Sequence, residues 1–197
     1  MDDWAAVRLA LDLLHVPWRA RLVRSQPLPE GVPLLLSVAA GDAASEDAAA
    51  NATGRPREFV REAATFFIEQ VLLCPEADSY RVLGASPAAT SNDLRRNMAL
   101  LMRWMHPDVA PQGDRLDRSV FARRIAAAWN NLKTAERRSA YDSARQRAAS
   151  NGEPVRSASQ ELRSRSGRSR RSTASSQARK IRLPRILRAF LLGKSRY

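Results

Sequence analysis

Three consecutive residues, His106, Pro107 and Asp108, set a titratable ring, a conformationally fixed imino acid and a carboxylate side by side. The rest of the chain offers them little with which to do covalent chemistry. There is one other histidine, His15, and one cysteine, Cys74. No nucleophile, base pair or metal set accompanies the tripeptide, so a catalytic, metal or cofactor role is not expected of it. A single cysteine excludes an intramolecular disulfide framework and a Cys-based zinc site. Cys74 reads as a small apolar residue at a helix end, and His15, at the end of a helix, as a structural histidine whose partial positive charge suits the dipole.

The elements that position the tripeptide are helices. Proline lacks the N–H that a helix interior needs and biases the preceding residue away from helical angles, so a helix ends near Met105 or His106. Before the break, Leu94, Met98, Leu101 and Met105 recur at helical spacing over residues 91–105. After it, Phe121, Ile125, Ala128, Trp129 and Leu132 do the same over residues 118–134. Two amphipathic helices joined by a loop bury their stripes against each other and leave the tripeptide at the tip. On the first helix the outward arc carries Arg96, Ala99, Leu100 and Arg103, with Arg95 and Trp104 on its flanks. Thr90, Ser91 and Asp93 are start signals for that helix. Pro111 and Gly113 mark residues 109–117 as a loop.

Upstream, Asp2 or Asp3 is placed to cap a helix with Trp4, Val7, Leu11 and Leu14 on one face, ending at Pro17. Residues 19–30 read as a connection, 32–40 as a short apolar helix and 43–52 as either helix or loop. A turn at Thr53-Gly54-Arg55-Pro56 opens a further helix whose face of Phe59, Val60, Ala63, Phe66, Phe67, Val71 and Leu72 must bury against the first helix or the downstream pair. A short helix capped at Asp78 and stopped by Gly84 turns Tyr80, Val82 and Leu83 inward. Residues 135–144 add one or two helical turns.

Charge divides the chain differently. Of 197 residues, the first 142 hold equal numbers of acids and bases, whereas the last 55 hold 15 Lys/Arg against Glu153 and Glu161, which is the entire net charge of +13. Residues 150–177 are Ser/Arg-rich and poor in apolar residues, a composition expected to be disordered. Near the end, Leu183, Ile186, Leu187, Phe190 and Leu191 fall on one helical face and Arg182, Arg185 and Arg188 on the other. This short basic amphipathic segment suits an anionic membrane surface or a partner or client protein, and less well nucleic acid. The acidic start and the lack of a long apolar run favour the cytoplasm, with a peripheral position at the inner membrane face where the tail engages lipid.

The order of short helix, helix, His-Pro-Asp, helix and short helix resembles a J domain, the module of DnaJ-type co-chaperones. The residues that carry the resemblance are Tyr80-Arg81-Val82-Leu83-Gly84, Leu94-Arg95-Arg96, His106-Pro107-Asp108, Phe121, Ile125, Ala128-Trp129, Leu132 and Arg137-Arg138-Ser139-Ala140-Tyr141-Asp142. Embedded context of this kind makes a short motif specific. The expected organisation is all-α, with an N-terminal helical extension over 1–75, a J domain over 77–143, a disordered linker over 144–178 and a basic amphipathic segment over 179–197.

The resemblance implies a non-enzymatic co-chaperone that assists protein folding by binding a DnaK-type (Hsp70 family) chaperone and stimulating its ATPase. The binding residues implied are His106, Pro107, Asp108, Arg95, Arg96 and Arg103. Asp108 at a loop tip can accept charge-assisted hydrogen bonds from an arginine, and Pro107 lowers the entropy lost on docking. The alternative is a J-like scaffold or adaptor that binds an anionic surface through its tail, with chaperone contact weak or lost. Ala99, Leu100 and Trp104 stand where the family commonly has basic residues. Either the interaction is weaker and more specialised, or the N-terminal helices cover Leu100 and Trp104. The second is favoured, because an exposed Leu and Trp beside an orphan apolar helix call for a shared interface.

Overall fold

The structure, a computed structural model, describes residues 3–106 and 115–150, with the side chains of 115–117 left out of the description. Among the described residues every regular element is helical. The helices are α1 (Ala5–His15), α2 (Ala20–Val23, entered through a 3₁₀ turn at Pro17–Arg19), α3 (Val32–Ala39), α4 (Ala43–Thr53), α5 (Arg57–Phe67, extended by a π-helical turn at Ile68–Leu72), α6 (Ser79–Val82), α7 (Ser91–Trp104), α8 (Arg115–Leu132) and α9 (Ala135–Ser150).

Tertiary packing settles where the apolar face of α5 goes. Val60, Ala63, Phe66 and Phe67 are buried, and α5 packs on α1, α3 and α4. From α1 the facing residues are Ala6, Val7, Ala10, Leu11, Leu13 and Leu14, and from α3 Val32, Leu35, Leu36 and Val38. The π turn keeps Ile68, Val71 and Leu72 in the same core. His15 closes this layer, with its Nδ1 2.8 Å from the Leu11 carbonyl oxygen and its ring edge-on to Phe59.

Local chemistry explains the boundaries that differ from expectation. The N-cap of α1 is Trp4, whose side chain makes no capping bond, and the Ala6 N–H donates to the Glu30 carbonyl at 2.9 Å, so a distant loop helps to satisfy the helix start; Asp2 lies outside the described residues. The Ala-rich segment is a helix because Asp42 caps it, its Oδ2 accepting from the Ser45 N–H at 3.0 Å and the Ser45 hydroxyl at 2.6 Å. Glu46 is buried on that helix and accepts from Arg61 Nε of α5 at 2.6 Å. Residues 17–23 form a continuous helical turn that runs into the segment expected as a connection over 19–30. α8 begins at Arg115, inside the expected loop.

The end of α9 is a correction of the expected organisation. Residues 144–150, expected in the linker, continue the helix to Ser150, stabilised by local bonds from Arg147 Nε to the Ser143 carbonyl and from the Ser150 hydroxyl to the Arg147 carbonyl. Residues 151–197 lie outside the described residues, and so do the expectations for the rest of the linker and for the terminal segment. No helix among the described residues is long and apolar enough to cross a membrane.

Candidate functional site

The helix that leads to the tripeptide is defined at both ends. Its start has a reciprocal capping box: Asp93 N–H donates to Thr90 Oγ1 at 3.1 Å, and Thr90 N–H donates to Asp93 Oδ2, also at 3.1 Å. The two bonds from Thr90 hold the Asp93 carboxyl below the ordinary carboxylate range. Its end unwinds at Met105 and His106, whose N–H groups reach the carbonyls of Leu101 and Arg103 at 3.0 Å each. His106 is exposed there. Pro107 and Asp108 lie outside the described residues, as do Arg182, Arg185 and Arg188.

Three sides of α7 are occupied. Leu94 and Leu101 are buried, with Met98 and Met105 half-buried beside them, and α8 supplies Ile125, Ala128 and Leu132 as buried partners. Asn97 is buried and donates from Nδ2 to the Leu83 and Gly84 carbonyls at 3.0 and 3.1 Å, which ties α7 to the end of α6. The flank that follows carries Leu100 and Trp104. Trp104 is only 5% exposed, lies 6.1 Å from Phe121 of α8 between ring centres, and donates from Nε1 to Thr65 Oγ1 of α5 at 3.3 Å. α3 also packs along α7, and Leu100 is half-buried against the core. The N-terminal helices therefore cover the Leu100 and Trp104 flank, the second of the two readings of the missing charge.

What remains open on α7 is one arc. Arg95, Arg96, Ala99, Met102 and Arg103 are all exposed, and 100° per residue places them together. The structure thus brings Arg95, Arg96 and Arg103 onto the face that runs to His106. Arg96 Nη2 is 4.0 Å from Asp93 Oδ1, a pair of little energetic weight at this exposure. Arg103 faces the N-terminal helices closely enough to help lower the Asp42 carboxyl, though the Ser45 hydrogen bonds do more. Met102, 47% exposed, adds an apolar contact between the arginines. Sequence reasoning omitted it, although its place on the arc was available from helical spacing.

At the other end of the hairpin the elements are clasped by polar contacts. Tyr80 is buried; its hydroxyl donates to Asp142 at 2.9 Å and accepts from Arg138 Nε at 3.0 Å. Burial first, and then the bond to Asp142, push the Tyr80 phenol above its ordinary value. Arg138 also donates to the Pro87 carbonyl at 2.6 Å, and the Tyr141 hydroxyl accepts the Ser79 N–H at 2.8 Å. Asn131 Nδ2 donates to the Ser79 hydroxyl at 3.0 Å. These bonds join α6, α8 and α9.

Residues 78–142 match the sequence model of the DnaJ domain family. They form a DnaJ domain. The same region is 40% identical over 65 residues to chaperone protein DnaJ of Rickettsia bellii strain RML369-C, and equally to that of strain OSU 85-389. The match takes in 33% of this chain and 17% of either relative. No solved structure gives a significant match. The Tyr80, Asp142 and Arg138 clasp thus belongs to the DnaJ domain, whereas α1 to α5 precede it and supply the cover over Trp104.

The single cysteine is not placed for reactivity. Cys74 is buried, and that burial pushes its thiol up, away from the thiolate a reactive cysteine needs. Among the described residues no group of three His, Cys, Asp or Glu side chains is placed to hold a metal ion.

Proposed function

We propose that this protein is a co-chaperone that docks a DnaK-type chaperone on the DnaJ domain and stimulates ATP hydrolysis on that partner. The observation that carries the reading is the single open arc of α7, with Arg95, Arg96 and Arg103 directed along the helix that ends at His106. Guanidinium groups in this arrangement suit an acidic docking surface, steering encounter and fixing orientation more than adding raw affinity. Pro107 and Asp108 complete the contact, Asp108 as acceptor for an arginine of the partner. In this reading the chain acts by binding, and ATP hydrolysis takes place on the chaperone. The basic tail then decides where the complex acts, in the cytoplasm and at the inner face of the membrane.

The test is single-turnover ATP hydrolysis by the host's DnaK with the full-length protein and with its His106→Gln and Asp108→Asn variants. Stimulation by the wild type and its loss in both variants is expected. Equal rates for all three would reject the docking role and leave the scaffold reading, in which the sparse basic face reflects lost chaperone contact.

A further inference from the structure

The largest exposed apolar side chains of the described residues include Trp18, 62% exposed, and Leu22, 55% exposed. Both stand on the continuous turn formed by Pro17–Arg19 and Ala20–Val23. At about 120° per residue through the 3₁₀ turn and about 100° beyond it, Trp18 and Leu22 fall on one side of that turn. Arg19 and Arg21 then lie to either side of the pair, while Ala20 and Val23 point away from it. The burial pattern agrees, since Arg19 and Arg21 are exposed and Ala20 and Val23 are buried. The turn is also held rigidly from beneath, by Arg24 donating from Nε to the Gln70 carbonyl at 2.7 Å and from Nη2 to Gln70 Oε1 at 3.3 Å.

We infer that Trp18 and Leu22, flanked by Arg19 and Arg21, form an interfacial anchor that inserts into an anionic lipid bilayer surface. Indole combines an apolar body with an N–H donor and is suited to the boundary between headgroups and acyl chains. Arginines beside it can bury their stems while their guanidinium groups stay with lipid phosphates. The pair protrudes from the surface, a shape that fits a deformable surface. Charge decides against two other occupants. Residues 17–29 contain three arginines and no acid, so a second copy of the face would meet like charge, and so would the basic segment 179–197. The inference is independent of the chaperone reading. It also supplies a second attachment point beside the tail, and peripheral binding generally needs two weak signals to become stable.

The experiment uses the full-length protein with vesicles of phosphatidylcholine alone and of phosphatidylcholine mixed with phosphatidylglycerol, the latter also made with brominated acyl chains. Flotation measures partition and bromine quenching reports insertion of tryptophan. Trp104 is buried and Trp4 and Trp129 are half-buried, so the quenched component belongs to Trp18. Expected are flotation with the anionic vesicles, a quenched component absent from Trp18→Ser, and partition lowered about tenfold or more in Trp18→Ser/Leu22→Ser. An unchanged urea midpoint would show that these exposed substitutions leave the fold intact. Unaltered partition of the double variant, or no quenching of Trp18, overturns the inference and leaves lipid binding to the tail. Protection of Trp18 by soluble polyglutamate, but not by lipid, overturns it in favour of an acidic protein partner.

Discussion

Trp104 joins the N-terminal helices to the DnaJ domain, and its replacement measures that junction. The side chain is 5% exposed, between Thr65 of α5 and Phe121 of α8. A tryptophan buries about 150–250 Å², which at about 25 cal/mol per Å² is about 4–6 kcal/mol of transfer free energy. A compact unfolded chain and partial collapse of the site bring the expected cost of Trp104→Ala to about 3–5 kcal/mol. The bond to Thr65 is long at 3.3 Å and contributes about 0.5–1 kcal/mol of this. Trp104→Phe keeps most of the apolar area and should cost about 1–2 kcal/mol. Urea unfolding followed by far-UV circular dichroism gives both values from the midpoint at constant slope. Because whole domains are stable by only about 5–15 kcal/mol, the alanine variant should lose a large part of its stability. The reasoning fails if Trp104→Ala costs under about 1 kcal/mol, since no fully packed tryptophan is that cheap to remove. It also fails if crosslinking shows residues 57–74 detached from α7 in the wild type.

Two further perturbations test the parts around the arc. Gly84 has φ +61°, and a Cβ there would lie 2.8 Å from Val32 Cγ1, whereas Gly54, at φ +63°, has open space around it. Gly54→Ala should therefore cost only the left-handed backbone term, about 1 kcal/mol, and Gly84→Ala clearly more, as read from thermal midpoints. Tyr80 has a folded-state value raised above the unfolded 10.0, so its contribution is complete below pH 10 and is lost as pH rises through the folded value. Urea midpoints of wild type and Tyr80→Phe should converge as pH rises through that window; a constant gap between them would contradict the clasp.

The helical hairpin and its caps were legible because their signals are local: the apolar stripes of α7 and α8, the Thr90 and Asp93 capping box, and the stop at Gly84. The broad face of α5 was legible as a face but not as a contact, since Phe66 or Phe67 has the same chemistry whether α1 or α7 lies opposite. Other elements depend on groups far away in sequence. The Ala6 N–H at the start of α1 finds the Glu30 carbonyl, and α4, weakly amphipathic, is fixed by its Asp42 cap and by Glu46 pairing with Arg61. The turn at Pro17–Arg19 and Ala20–Val23 is too short for periodicity to register. α9 has no buried residue, so no apolar repeat announced how far it runs. At the site, spacing alone placed Arg95, Arg96 and Arg103 on an outward face, and the adjacent Leu100 and Trp104 beside an orphan apolar helix favoured cover of that flank, but which helices supply it, α5 through Thr65 and α3 along α7, was a tertiary question.

Covering also bears on why the basic face is thin. Leu100 and Trp104 lie on the flank that the N-terminal helices occupy, and a lysine in place of Trp104 would sit beside Thr65 and Phe121 with its charge out of water. Burying an unpaired ammonium costs several kcal/mol, so apolar residues there are a requirement of the junction and say nothing about affinity for a partner. Ala99 is different. It is exposed on the open arc with Arg95, Arg96, Met102 and Arg103, and nothing packs over it that would forbid a charge. Its lack of charge is a property of the open arc itself, and the exposed Met102 beside it makes that arc more apolar than three arginines alone would suggest. Fewer charges lower long-range steering, whereas an apolar contact between arginines acts only at close range. Under the docking role proposed above, contact on the face that leads to His106 depends more on fit and less on net charge.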